Sequence, residues 1–159
     1  MSEFECRPAR DSDLRALTEL WWLMQSSHDP YSPRFYKNVG PDECKAFCHR
    51  YFEDLMTKQD CMMHVATAGE TPIGMIVAHF RTRPPVYEVR QQIEVEIAVV
   101  HPAYRCSGIF RGLLACVEEK SKLAGVAMIE LLVDHENPAR LAYEKTGFVL
   151  RQDKMVKWL

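Results

Sequence analysis

Val95-Glu96-Ile97-Ala98-Val99-Val100-His101-Pro102-Ala103-Tyr104-Arg105-Cys106-Ser107-Gly108-Ile109-Phe110-Arg111-Gly112-Leu113-Leu114 passes from one kind of backbone to another within twenty residues. An apolar run ends at Pro102, a short turn carries arginine, serine and glycine, and apolar residues at helical spacing begin near Gly108. A helix starting there presents unpaired backbone N–H groups and the positive end of its dipole, which together cradle an anion. Gly108 lets the backbone approach a phosphate closely, and Arg105 and Arg111 add fixed positive charge. A pyrophosphate suits such a turn. An ordinary strand–turn–helix with solvated arginines fits the same residues. The glycine spacing is neither G-x-x-x-x-G-K-[ST] nor G-x-G-x-x-G, which excludes the P-loop and dinucleotide-binding fingerprints.

Upstream, Phe4 and Cys6 alternate with charged neighbours as a half-buried strand does, and Pro8 ends it. Asp11 is placed to cap a helix over 12–26, whose apolar face is Leu14, Leu17, Leu20/Trp21 and Met24. A connection over 26–40 is rich in aromatic residues. Pro41-Asp42-Glu43 then opens a second helix, with Ala46/Phe47, Tyr51 and Leu55 as its apolar face. Strands are predicted over 61–68 and 72–80, joined by Gly69-Glu70, and a basic, proline-bearing loop leads to a third strand over 92–100.

Downstream, the helix over 108–123 stops at Gly125. A continuous apolar strand over 126–133 reads as covered on both faces. Asn137-Pro138 begins a short helix ending near Gly147, and residues 148–150 and 155–158 are predicted to close the sheet as a last pair of strands. The order β-α-α-β-β-β-α-β-α-β-β predicts an α/β (α+β) domain with a mixed central sheet. There is no internal repeat, and 1–159 reads as one domain.

Composition narrows the function classes. The chain has 159 residues, 47% hydrophobic and 26% charged, which excludes disorder and collagen-like repeats. Twenty Lys+Arg against 22 Asp+Glu give a net charge of −2, without the basic excess of a nucleic-acid binder. The six cysteines include no C-x-x-C pair; Cys44, Cys48 and His49 lie close together but read as helix-borne thiols and an imidazole, with no metal expected. No apolar run approaches the ~20 residues of a membrane span, and no leader is expected before Glu3. Free thiols fit a cytoplasmic chain.

Three segments in order, Arg7-Pro8-Ala9-Arg10-Asp11-Ser12-Asp13-Leu14, Arg105-Cys106-Ser107-Gly108-Ile109-Phe110 and Ala139-Arg140-Leu141-Ala142-Tyr143-Glu144-Lys145-Thr146-Gly147-Phe148, resemble the GNAT N-acetyltransferases. The family's cofactor signature is [QR]-x-x-G-x-[GA], and Phe110 stands where its last small residue would be. The resemblance implies a GNAT-like, mostly antiparallel sheet flanked by helices, acetyl-CoA as cofactor, and acetyl transfer to an amine attacking directly in a ternary complex. It implies that backbone groups of Ala98, Val99 and Val100 bind the pantetheine arm. It places the pyrophosphate on Arg105, Cys106, Ser107, Gly108, Ile109, Phe110 and Arg111. Tyr143, with an ordinary pKa of ~10, is the implied general acid. Asn137 has two readings, a contact to the cofactor arm or a helix cap.

Glu96 is the leading candidate for the general base. Alternation puts Glu94 and Glu96 on one face and Val95 and Ile97 on the other, and a solvated strand face is the competing account. His28, His79 and His101 belong to no motif and read as structural or exposed. In this family the acceptor is chosen by the first two helices, their connection and the loop before the fourth strand. Here those carry Trp22, Tyr31, Phe35, Tyr36 and Tyr87 as candidate pocket walls. The expected acceptor is a small-molecule amine. A protein N-terminus or lysine, and a non-catalytic acetyl-CoA-binding module, are the alternatives. Homodimers are common among relatives.

Overall fold

A computed structural model describes residues 4–159, so the expected absence of a leader before Glu3 lies outside the described residues. Five strands form one sheet in the order β1-β2-β3-β4-β5: β1 (Glu5–Pro8), β2 (Cys61–Ala68), β3 (Thr71–Thr82), β4 (Gln91–Val100) and β5 (Ile129–Leu131). The first four pair antiparallel, and β5 alone runs parallel to β4. Helices α1 (Leu14–Ser26) and α3 (Pro41–Met56) cover one face, with the single-turn helix α2 (Pro33–Tyr36) between them. Helix α4 (Ile109–Leu123) covers the other face, and α5 (Arg140–Lys145) follows β5.

Each face of the sheet has its own core. Leu14, Leu17 and Leu20 of α1 and Cys48, Phe52 and Leu55 of α3 pack on Val65, Met75, Val77, Ile97 and Val99. Ile109, Leu113 and Val117 of α4 pack on Ala66, Ile76, Ala78, Ile93 and Val95. These assignments contain a break in phase. Ile93 and Val95 face α4, whereas Ile97 and Val99, at the same parity, face α1 and α3. The ladder explains it: Val95 is opposite Ala78 and Ile97 is opposite Val77, so Glu96 is an extra residue with no partner on β3. A bulge of this kind turns two neighbouring side chains to the same side. Glu94 and Glu96 share a face as expected. Ile97 does not lie opposite Glu96, because the bulge breaks the strict alternation on which that expectation stood.

Other differences are local. Asp11 opens a 3-10 turn, Asp11–Asp13, before α1, and Asp13 supplies the capping carboxylate instead. Its oxygens accept from the Arg10 backbone N–H at 2.8 Å and from the Arg7 guanidinium at 2.7 and 2.9 Å. In α3 the buried face is Cys48, Phe52 and Leu55, one residue round from the face read in the sequence, and Phe47 is 61% exposed.

The closing pair of strands does not form. Residues 148–159 have no strand pairing, and Leu132, expected to be covered, is 81% exposed. β5 is only three residues long and offers too short a ladder to recruit another strand. The tail instead lies against α2, with the Arg34 guanidinium 4.3 Å from the Trp158 ring and Lys154 Nζ 5.4 Å from that of Phe35. Among the described residues no helix is long and apolar enough to cross a membrane.

Candidate active site

The sequence that makes the bulge also ends a ladder. The parallel pairing of β4 with β5 lasts three pairs, Ile93–Ile129, Glu94–Glu130 and Val95–Leu131, and stops there. From Ala98 to Val100 the strand stays hydrogen-bonded to β3 along one edge, while among the described residues its other edge has no strand beside it. Backbone donors and acceptors on that edge are free to pair with a ligand.

The open edge leads into the turn before α4. His101 Nδ1 accepts from the Ala103 N–H at 3.3 Å, and Arg105 folds back so that its Nε donates to the Val100 carbonyl at 3.3 Å. Cys106 and Gly108 both adopt left-handed backbone, with φ of 62° and 87°. Such residues fold a turn so that successive N–H groups converge, the concavity that binds anions. Gly108 adopts this conformation without Cβ strain, and Cys106 does so at a cost. In α4 the first N–H to find a carbonyl is that of Gly112, on Gly108, and among the described residues those of Ile109, Phe110 and Arg111 have no partner. Arg105 and Arg111 are exposed beside them.

Tyr143 on α5 sits over the same region. Its ring meets Phe110 edge-on at 5.1 Å between centroids and Phe148 at 6.0 Å. Burial pushes its pKa above the ordinary tyrosine value, so the hydroxyl keeps its proton at neutral pH. Among the described residues no protein group hydrogen-bonds that hydroxyl. Asn137 acts as a cap: its Oδ1 accepts from the Ala139 N–H at 2.9 Å ahead of α5, which leaves its amide nitrogen uncommitted.

On the α1/α3 side of β4, Glu96 opens into a cavity of about 330 Å3 lined by Trp21, Met24, His28, Tyr36, Phe47 and Tyr51, among others. Glu96 is held at three points. His79 Nε2 lies 2.5 Å from its Oε2, and the Tyr51 hydroxyl, 2.8 Å from both oxygens, donates to it. His79 is itself buried, with 5% of its side chain exposed, while Glu96 retains 34%. Burial and the neighbouring carboxylate push the Tyr51 hydroxyl far above its ordinary pKa, so it remains a donor. Across the cavity Tyr36 donates to Asp134 Oδ2 at 3.0 Å, tying α2 to the chain just beyond β5. Burial keeps His28 below the usual imidazole value.

A family model described as Acetyltransferase (GNAT) family matches residues 14–148. The chain belongs to the GNAT acetyltransferase family. Solved structures agree in fold. A tetramutant of the BH1408 protein from Bacillus halodurans superposes with a TM-score of 0.83 at 18% identity, over 98% of this chain and 99% of that one. Aminoglycoside N-acetyltransferase AAC(6')-Iy in complex with CoA gives a TM-score of 0.73 at 17% identity, over 100% of this chain and 96% of that one. A transcriptional regulator from Bacillus halodurans C-125 gives 0.74 at 21%, over 99% and 100%. No curated protein matches the sequence. The GNAT fold uses acetyl-CoA, and the AAC(6')-Iy structure holds CoA.

Within this GNAT framework the residues named from sequence fall into two groups. Ala98, Val99, Val100 and the turn from Arg105 to Arg111 lie together along the open edge and the start of α4, with Tyr143 contacting Phe110. Glu96 lies among the cavity walls. The sequence set His79 aside as structural or exposed and read Tyr51 as part of an apolar helix face, and neither reading joined them to Glu96, which both grip. Cavity walls were expected at Trp22, Tyr31, Phe35, Tyr36 and Tyr87. Of these only Tyr36 lines the cavity, beside Trp21, Phe47 and Tyr51. Tyr87 instead stacks under the Arg83 guanidinium at 3.9 Å. Cys48 is buried with its thiol pushed up to about 12, and the neighbouring His49 turns toward Thr18 and Glu53.

Proposed function

We propose that this GNAT protein is an acetyl-CoA-dependent N-acetyltransferase that acetylates the primary amine of a small molecule by direct attack in a ternary complex. The observation that carries the reading is the Glu96 bulge. The extra residue is itself a carboxylate on the cavity face of β4, placed just beyond the point where that strand's edge loses its β5 partner.

The residues present fit the cofactor. The free edge at Ala98, Val99 and Val100 suits the amide groups of a pantetheine arm. The unpaired N–H groups of Ile109, Phe110 and Arg111, the left-handed turn at Cys106 and Gly108, and the charges of Arg105 and Arg111 suit a pyrophosphate. The amide nitrogen of Asn137 is a further candidate contact.

Bound acetyl-CoA supplies an acetyl thioester, whose C–S bond breaks as the amine's C–N bond forms. Glu96 prepares the amine by accepting a proton from the ammonium. Tyr51, donating to both of its oxygens, and His79 fix the carboxylate toward the cavity. Tyr143 holds its proton and donates a hydrogen bond to the departing sulfur. A phenol above ~10 is a weaker acid than a thiol near ~8.5, so full transfer is uphill. Tyr143 therefore works chiefly by stabilising the thiolate as it leaves, and the second proton, shed by the nitrogen after it attacks, passes through solvent to complete the thiol.

The test is thermal unfolding with acetyl-CoA, coenzyme A, NAD and ATP in parallel, followed by product mass spectrometry with an amine panel. Ligand at 100 times its dissociation constant stabilises by ~2.7 kcal/mol, a rise in midpoint of roughly 5–10 °C for a chain of this size. A shift with the two CoA species alone supports the cofactor site, and an acetylated amine supports the reaction. A shift without any acetylated amine or peptide favours the non-catalytic module. No shift at all overturns the reading.

A further inference from the structure

The cavity beside Glu96 presents an unusual balance of chemistry for an amine site. Its formally charged side chain is Glu96, and the rest of its wall is dominated by the rings of Trp21, Tyr36, Phe47 and Tyr51. Several polar ends of that wall are already engaged. The Tyr51 hydroxyl donates to Glu96, the Tyr36 hydroxyl donates to Asp134, and the Gln25 amide nitrogen donates to Asn38 Oδ1 at 3.1 Å. Cys48 keeps its thiol proton and His28 is neutral at pH 7. A ligand entering therefore meets mostly aromatic rings and a thioether at Met24, with the His28 imidazole, the Gln25 carbonyl and one carboxylate as its polar partners. Phe47 and Tyr51 stack nearly parallel, 10° apart at 6.0 Å, forming one continuous aromatic side.

From this surface we infer that the acceptor is a small monoamine carrying an aromatic or branched apolar body, its nitrogen at Glu96 and its body against Trp21, Phe47 and Tyr51. The inference rests on the amine-acetylating reading above and narrows it. One carboxylate neutralises one ammonium, and the surrounding rings favour that cation further through their negative faces. A polyamine brings additional ammonium groups that the walls leave unpaired, a costly burial. An aminoglycoside adds several hydroxyls, more than the His28 imidazole and the Gln25 carbonyl can serve, and the rest lose water without gaining a partner. The volume of about 330 Å3 lies at the small end of ligand cavities and suits a one-ring amine. The fold shared with AAC(6')-Iy thus does not extend to a shared acceptor.

The full chain is assayed with acetyl-CoA and four amines, 2-phenylethylamine, isoamylamine, spermidine and neamine, reading thiol release and product mass. Binding of the same amines is measured by calorimetry in the presence of coenzyme A. The expected result is kcat/KM for 2-phenylethylamine at least about tenfold above that for spermidine or neamine, with the same order in affinity. Phe47→Ala removes a ring that is 61% exposed and leaves the fold standing. It is expected to raise KM for 2-phenylethylamine about tenfold and to change kcat little, a signature of lost ground-state binding. Preferred turnover of spermidine or neamine overturns the inference while the acetyltransferase reading survives. So does coenzyme A binding with no turnover or affinity for either monoamine. Failure of coenzyme A to stabilise the protein, with no amine acetylated, overturns both.

Discussion

Changing Glu96 to glutamine separates the chemistry of the site from its architecture. The carboxylate takes contacts from His79 Nε2 at 2.5 Å and from the Tyr51 hydroxyl at 2.8 Å to each oxygen. Glutamine keeps the length of the side chain and one acceptor oxygen, so the partners are not left bare. The structural loss is the difference between hydrogen bonds to a charged and to a neutral acceptor, about 1 kcal/mol. That corresponds to a fall in midpoint of roughly 2–4 °C. The catalytic loss is of another order. Removing a positioned general base costs ~10²–10⁴ in rate, or about 3–5 kcal/mol of activation. Thiol release at saturating acetyl-CoA and amine, beside a thermal melt, reads both quantities on one preparation. Turnover within threefold of the parent protein would refute Glu96 as the proton acceptor. A fall in midpoint beyond about 10 °C would instead make it a structural post for α3 and β3.

Three further outcomes follow from individual contacts. Tyr143→Phe keeps the ring between Phe110 and Phe148 but removes the donor, and should lower kcat about 10²-fold with coenzyme A affinity unchanged by calorimetry. Tyr36→Phe breaks the 3.0 Å bond to Asp134 that ties α2 to the chain beyond β5; it should raise KM for the amine about tenfold and spare kcat in steady-state assays. His64 is buried in β2, its Nδ1 has no partner among the described residues, and burial followed by the charge of Lys120 lowers its pKa to about 4. Because the folded pKa lies below the unfolded ~6.5, the neutral imidazole contributes stability that is present above 6.5 and lost as pH falls toward 4. Urea unfolding across that window should show a shallower pH dependence for His64→Gln than for the parent.

The parts of the site that follow one continuous segment were legible in the sequence. The strand, turn and helix from Val95 to Leu114 fix their own relation through Pro102, Gly108 and the helical spacing of Ile109, Leu113 and Val117, and no distant contact is needed. What escaped depends on register. Alternation predicts faces only while pairing is unbroken, and nothing in Glu94-Val95-Glu96-Ile97 marks where β3 skips a residue. His79 could be joined to Glu96 only by knowing the offset between two strands separated by a long loop. Tyr51 and Phe47 read as core because a helical stripe one residue wide of the true one looks the same until Cys48 and Phe52 are seen beneath the sheet. The closing strands failed for the opposite reason: their local pattern was adequate, but β5 is too short to receive them.

The odd residue in β4 is one that the core does not need. Without Glu96, Val95 would still lie opposite Ala78 and Ile97 opposite Val77, now as a regular ladder. Simple alternation from Val95 then keeps Ile97 and Val99 in the α1/α3 layer, so both hydrophobic layers retain their partners. Only the carboxylate in the cavity is lost. The fold therefore exerts no hold on the bulge, and a strand shortened by that one residue is a domain of the same architecture without its acid. Variants built on this scaffold can be graded on that footing: libraries at Trp21, Phe47 or Tyr36 change the wall and keep the acid, whereas deletion of Glu96 keeps the packing and gives the acid up.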